Sequence, residues 1–239
     1  MKAMRYQNFF FLSAVALVAL WFTACSDDAS SAPEEPVDTF DASIVCPVDG
    51  VNGYGEPNRG TFTDARDGQM YKYTTIANQV WMAENLKFDA PYSECYDKID
   101  GFCNTFGRFY SLHENGEFLG LFDQGLLDTI CPAGWRVPSV NDWSILINNM
   151  GGEKKALSRL YSSDDFGEDF MKGSDDCGFN SLPAGMWLLN GSLASEYVVS
   201  AYWTSTAIDS RKSYVSYFSY DGISFGINEP KMSIRCVKN

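Results

Sequence analysis

Apolar and polar positions along the chain fall into three stretches of different character. From Phe9 to Phe22 nearly every residue is apolar. From Ser26 to Ile44 Ser, Asp, Glu, Pro and Ala dominate and large apolar side chains almost vanish. Such a stretch buries too little surface to offset the entropy lost on ordering, and it predicts a flexible tether. From Cys46 onward apolar residues recur with the periods of strands and helices. Met70 to Ile76, followed by Val80 to Met82, predicts a hairpin of β-prone residues with Asn78 in the turn. Ser139-Val140-Asn141-Asp142 has the form of a capping box; Trp143, Leu146, Ile147 and Met150 follow at helical spacing until Gly151-Gly152 ends the run. A second, weaker helix is predicted over Glu153 to Leu160.

The last third reads as sheet. Ser213 to Tyr220 and Ile223 to Ile227 flank Asp221-Gly222, a strong two-residue hairpin signal. With that turn, Tyr220 lies opposite Ile223 and Phe218 opposite Phe225 on one face. Val215 and Tyr217 take the other, with Tyr217 across from Gly226. Further strands are predicted at Tyr202 to Thr206 and at Met232 to Val237, where Met232, Ile234 and Cys236 share a face. Few helices and many antiparallel strands indicate one α+β domain over 46–239, with enough apolar content to bury a core.

The leader changes where this domain is expected to work. Lys2 and Arg5 precede the apolar run, which is shorter than the roughly 20 residues a bilayer span needs, so residues 1–24 read as a cleaved signal peptide. Phe22-Thr23-Ala24 before Cys25 resembles the lipobox of bacterial lipoproteins, with Phe22 where Leu is usual. Cys25 is thus the expected lipidation site, carrying acyl chains such as palmitate, with 25–45 as the acidic tether. The alternative is an ordinary secretory signal with an incidental cysteine. Ser26-Asp27-Asp28 is similar to the short acidic signals that send some lipoproteins to the outer face of the outer membrane. The expected location is therefore the cell envelope, lipid-anchored and surface-exposed.

Charge excludes one class of partner. Without the leader the 18 basic residues fall to 16 against 31 acidic ones, a formal charge of −15 in place of −13. The basic runs are short, so nucleic acid is not an expected partner, and membrane attachment must come from lipid on Cys25. Six cysteines remain after Cys25: Cys46, Cys95, Cys103, Cys131, Cys177 and Cys236. An even number in an exported chain suggests disulfides. No Cys-x-x-Cys pair occurs, and the single histidine, His113, has no cysteine nearby, so no metal site or cofactor is expected. Six cysteines allow 15 pairings, among which spacing alone does not choose.

Four segments in order carry a family resemblance. They are Thr63 to Tyr71 with Val80-Trp81-Met82-Ala83-Glu84-Asn85-Leu86; Cys131-Pro132-Ala133-Gly134-Trp135-Arg136-Val137-Pro138 with Trp143; Gly178 to Gly185 with Tyr202-Trp203-Thr204-Ser205-Thr206; and Ile234-Arg235-Cys236-Val237. Together they resemble the Fibrobacter succinogenes major paralogous domain over roughly Gly60 to Asn239. Ala77 stands where that pattern has glycine. The family is similar to C-type-lectin-like folds, including the formylglycine-generating enzymes. The resemblance implies a disulfide-stapled domain in which Cys131 pairs with Cys236 and Cys95 with Cys103, leaving Cys46 for Cys177. It also implies a lipoprotein of the cell envelope with no established catalytic activity.

Candidate chemistry is sparse. Trp81, Trp135, Trp143 and Trp203 sit inside the shared motifs and are expected in the core. Trp187, in the Leu182 to Ala201 excursion, and Tyr217, on the second hairpin face, are the candidate exposed ligand-binding residues. Tyr217 also has a structural explanation as a shield over a strand glycine. Glu56-Pro57-Asn58 matches a calcium-lectin tripeptide but precedes the matching segment, and is read as coincidence. Asp164, Asp165, Glu168, Asp169, Asp175 and Asp176 are read as a solvated loop, though calcium or a glycosidase carboxylate pair would use such residues. His113 is read as a surface polar residue. The expectation is a non-catalytic binding module for glycan or protein. The alternatives are a polysaccharide-processing enzyme using acidic-loop carboxylates and a passive envelope protein.

Overall fold

A computed structural model describes residues 37–95, 100–117, 123–167, 171–188, 190–194, 198–227 and 230–239. Cys25 and Ser26-Asp27-Asp28 lie outside the described residues, as do Glu168 and Asp169. Residues 38–239 form one compact unit. In chain order it contains α1 (Ala42–Val45), β1 (Arg59–Thr63), β2 (Met70–Ile76), β3 (Gln79–Met82), β4 (Ser93–Cys95), α2 (Asp100–Phe106), β5 (Arg108–Tyr110), α3 (Gln124–Thr129), β6 (Trp135–Arg136), α4 (Val140–Asn149) and α5 (Glu153–Leu160). There follow β7 (Met186–Trp187), β8 (Leu193–Ala194), β9 (Val198–Asp209), β10 (Lys212–Ser219), β11 (Gly222–Ile227), β12 (Met232–Ser233) and β13 (Val237–Lys238).

The strands make an antiparallel sheet in the order β1-β2-β3-β13-β6 and a second in the order β11-β10-β9-β12-β5-β4, where only β9 and β12 run parallel. β7 and β8 pair separately. Short helices and mostly antiparallel sheets make this an α+β domain.

The clearest helix forms where the pattern predicts it. Ser139 caps α4 and Asp142 returns the bond to the Ser139 backbone N–H, so two orphan donors are met at once. Burial pushes the Asp142 carboxyl up, but hydrogen bonds from Arg136 and Ser139 outweigh that and hold it at about 2. Trp143, Leu146 and Ile147 turn inward from α4, and Ala156, Leu157 and Leu160 turn inward from α5. The inward face of α4 meets an aromatic pile in which Trp143 packs on Trp81, Tyr202, Phe179 and Phe218, with ring centroids 4.8 to 6.1 Å apart. A second core holds Tyr71, Tyr73, Trp135 and Trp203.

Disulfides join Cys46 to Cys177, Cys95 to Cys103 and Cys131 to Cys236. These are the pairs the resemblance implied. The chain-entropy model assigns the Cys131–Cys236 loop, 105 residues long, up to about 4.7 kcal/mol and the 8-residue loop about 2.5 kcal/mol.

Four local expectations are corrected. First, the 213–227 hairpin turns at Tyr220-Asp221: Ser219 pairs with Gly222 and Phe218 with Ile223, two positions from the expected register. The expected turn needs φ > 0 at both Asp221 and Gly222, and only Gly222 takes it, at φ +128°. Second, the strand expected over Met232 to Val237 is split between the two sheets, with Arg235 wholly buried at the crossing. Its alternation survives, since Met232, Ile234 and Cys236 all enter one core. Third, residues 38–45 belong to the folded unit instead of the tether. Asp38 pairs with Arg159 and Lys155, Phe40 lies over the Arg159 guanidinium, and α1 leads into the Cys46–Cys177 bond. Composition missed this because a few contacts by Asp38 and Phe40 do the anchoring. Fourth, His113 is 1% exposed and edge-on to Trp203.

Candidate functional site

Period-two alternation in β1 and β2 builds a polar floor. Arg59 lies opposite Thr74 and Thr61 opposite Lys72, and directly opposed residues project to the same face. The intervening Tyr71 and Tyr73 point into the core on the other face. Beside this floor run residues 163–167 and 171–180, pinned where Thr74 Oγ1 donates to the Cys177 carbonyl. Between them lies a groove of about 530 Å³ whose charged lining is Arg59, Lys72, Asp164 and Asp175, with Asn180 beside them.

The groove wall is held from inside the core. Arg235 donates to Asn85 Oδ1 and to the carbonyls of Phe179 and Asn180. Its guanidinium lies 4.6 Å from the centroid of Phe179 and 5.5 Å from that of Tyr202. Asn180 in turn donates its backbone N–H to Asp175 Oδ1 at 2.7 Å. Asp175 and Asn180 both sit in the left-handed region, at φ +46° and +55°. Backbone held there by non-glycine residues stores about 1–3 kcal/mol each and persists only where surroundings over-determine it. At Gly178, φ +67°, a Cβ would stand 3.3 Å from Arg59 Nη1, so glycine lets the guanidinium close against the wall.

Electrostatically the groove is unfinished. Burial lifts the Asp175 carboxyl to about 6, against the lowering pull of the Asn180 N–H and of the Arg235 and Arg59 charges. Arg59 Nε is buried and has no hydrogen-bond partner among the described residues. None of Arg59, Lys72, Asp164 and Asp175 forms an ion pair with a described residue. Several cations elsewhere are paired: Lys87 with Glu84, Arg108 with Asp89, Arg136 with Asp142, Lys231 with Glu94.

The residues singled out from sequence scatter. Trp187, expected to be exposed, is 8% exposed and packs with Phe109 and Ala184. The indole is an apolar body that the β7–β8 excursion buries, with the Trp187 backbone N–H donating to Lys231. Tyr217 is half-buried: its ring covers Gly226, where a Cβ would stand 2.4 Å from the ring edge, and its hydroxyl donates to the Ile227 carbonyl. Glu56 pairs with Lys238 and Asn58 donates to the Asp49 carbonyl, so the lectin-like tripeptide is engaged in structure. Of the acidic cluster, Asp164 and Asp175 reach the groove, Asp165 accepts from the Gly167 N–H, and Asp176 faces Arg159. Arg59, Lys72 and Asn180 escaped the sequence reading; the alternation Arg59, Thr61, Thr63 against Lys72, Thr74 was the signal that marks a polar strand face.

No group of three metal-ligating side chains occurs among the described residues, and no described helix is long and apolar enough to cross a membrane. No curated protein and no solved structure matches the chain. A sequence profile does: the Fibrobacter succinogenes major domain (Fib_succ_major) matches residues 74–238, which take in Thr74, the groove wall and the Arg235 crossing and leave Arg59 and Lys72 outside. The chain belongs to the Fibrobacter succinogenes major domain family.

Proposed function

We propose that this chain is a cell-envelope lipoprotein, anchored through Cys25 to the outer membrane, that displays the Arg59–Asp175 groove as a non-catalytic binding site for glycan. The carrying observation is the convergence of four charged side chains that have no ion-pair partner among the described residues. Carboxylates accept from sugar hydroxyls and guanidinium and ammonium groups donate to them, so such a lining is matched to a polyhydroxylated ligand. The acidic tether holds the domain away from the lipid surface. Trp187 and Tyr217 do not line this groove.

The test is retention of the full oxidised chain, in detergent, on a panel of soluble and insoluble polysaccharides with and without calcium. Saturable retention that Arg59→Ala or Asp164→Asn weakens supports the reading. Retention insensitive to both, or none by a folded sample, overturns it and favours protein partners or passive envelope structure. Incorporation of a palmitate analogue, lost on Cys25→Ala, tests the anchor. One observation favours a hydrolytic reading: two carboxyls share the groove, and Asp175, raised to about 6, has the environment of a general acid. Release of reducing ends from any retained polysaccharide, abolished by Asp175→Asn, would establish it.

A further inference from the structure

The division of charge within the groove says more than that a polar ligand fits. Both cations, Arg59 and Lys72, belong to the floor; both carboxylates, Asp164 and Asp175, belong to the wall beside it. Arg59 and Lys72 are diagonal cross-strand neighbours, a relation that puts Cβ atoms about 7–8 Å apart, within joint reach of one anionic group. Arg59 lines the groove with no ion-pair partner among the described residues, and a guanidinium takes carboxylates with two parallel bonds. The ligand must therefore bring an anion to the floor and hydroxyl donors to the wall. A deoxyribose phosphodiester backbone has no donors for Asp164 and Asp175. A neutral glucan has no anion to meet Arg59 and Lys72.

We propose that the groove selects glycans carrying uronic acids, with Arg59 and Lys72 on the sugar carboxylate and Asp164, Asp175 and Asn180 on its hydroxyls. This rests on the binding reading above. It also carries a pH signature. Asp175 is faced by Arg59 from β1, by Arg235 from the crossing, and by Asp164 and the Asn180 N–H within its own segment. Protonating it removes a like charge from beside the bound carboxylate and adds a donor.

Affinity of the full oxidised chain in detergent is measured for polygalacturonate, for the same backbone fully methyl-esterified, for amylose and for dextran sulfate. The expected result is binding of polygalacturonate, weakened about tenfold or more by esterification and similarly by Arg59→Ala, with Lys72→Ala milder. Arg59→Lys, which keeps the charge and loses the fork, is expected to weaken binding while leaving the fold intact, checked by circular dichroism and thiol count. Affinity is expected to rise on going from about pH 7.5 to about pH 5.5, and Asp175→Asn to abolish the rise. Equal, Arg59-dependent binding of the ester or amylose overturns the uronic-acid inference and leaves the glycan reading standing. Arg59-independent binding of dextran sulfate and polygalacturonate alike overturns both, as does no binding by a folded sample.

Discussion

Asp142 and Asp175 are both partly buried aspartates, yet burial is resolved in opposite ways at the start of α4 and in the groove. Asp142 receives Arg136, the Ser139 hydroxyl and the Ser139 N–H, and its carboxyl is held down at about 2. Asp175 receives the Asn180 N–H without a contacting cation and is lifted to about 6. The corner at α4 pairs its charge and gains stability from it. The groove keeps its carboxylates, on a core-anchored loop, apart from its cations on β1 and β2, and the unpaired state costs stability. A fold tolerates such a place when a ligand completes it, and the difference between the two aspartates separates what holds this molecule together from what is left for a partner.

The comparison can be broken or sharpened by substitution. Trp143→Ala, at the centre of the aromatic pile behind α4, is expected to destabilise by about 4 kcal/mol in urea titration, the usual range for emptying a large aromatic site. A loss under 2 kcal/mol would mean the pile is not the keystone of this core. Asp142→Ala removes the capping-box return and the Arg136 pair and is expected to cost about 2 kcal/mol. Because the Asp142 carboxyl is depressed in the folded state, its stabilisation is present above the unfolded value near 4 and is lost as pH falls towards about 2. Acid titration of wild type against the variant checks this.

Asp175→Asn is expected to act with the other sign. A carboxyl raised in the folded state contributes stability that is full below about 4 and lost as pH rises through about 6. The variant should therefore be more stable than wild type at neutral pH, on the order of 1 kcal/mol after solvent screening, and flat between about pH 4 and pH 7. A destabilised variant would show that the carboxylate is structural and would erase the contrast with Asp142. The smallest effect belongs to Ala77, which holds φ +52° in the β2–β3 turn. Ala77→Gly relieves the left-handed penalty and loses some unfolded-state restriction, for a net gain of about 0.5 kcal/mol by thermal melting.

Much of the fold was legible because local rules and tertiary packing agree. Helix α4 follows from its capping box and apolar spacing, and α5 spans the expected residues. The 70–82 hairpin and the long β9 also stand where β-prone residues predicted strands. The misreadings fall where a distant contact decides. Turn choice at Tyr220-Asp221 is read from dihedral angles that the dipeptide Asp221-Gly222 leaves open. The exposure of Trp187 depends on Phe109 and Ala184, and of His113 on Trp203, all remote or unmarked in the chain.

The candidate site was less legible than the fold. Asp164 and Asp175 were visible as members of an acidic run, but nothing in the run distinguishes them from Asp165, which turns to solvent. Arg59 and Lys72 are thirteen residues apart in sequence and become neighbours through strand pairing.

By itself, then, the sequence determined the class of the domain, the start of α4, the core positions of Trp81, Trp135, Trp143 and Trp203, and the family. Those depend on short-range periodicity, on capping chemistry and on residue types that water excludes wherever they occur. Only the tertiary structure decided which charges stay unpaired. Whether a carboxylate meets a cation depends on three-dimensional distance and on the burial that raises or lowers its proton affinity, and neither is encoded within a window of neighbouring residues.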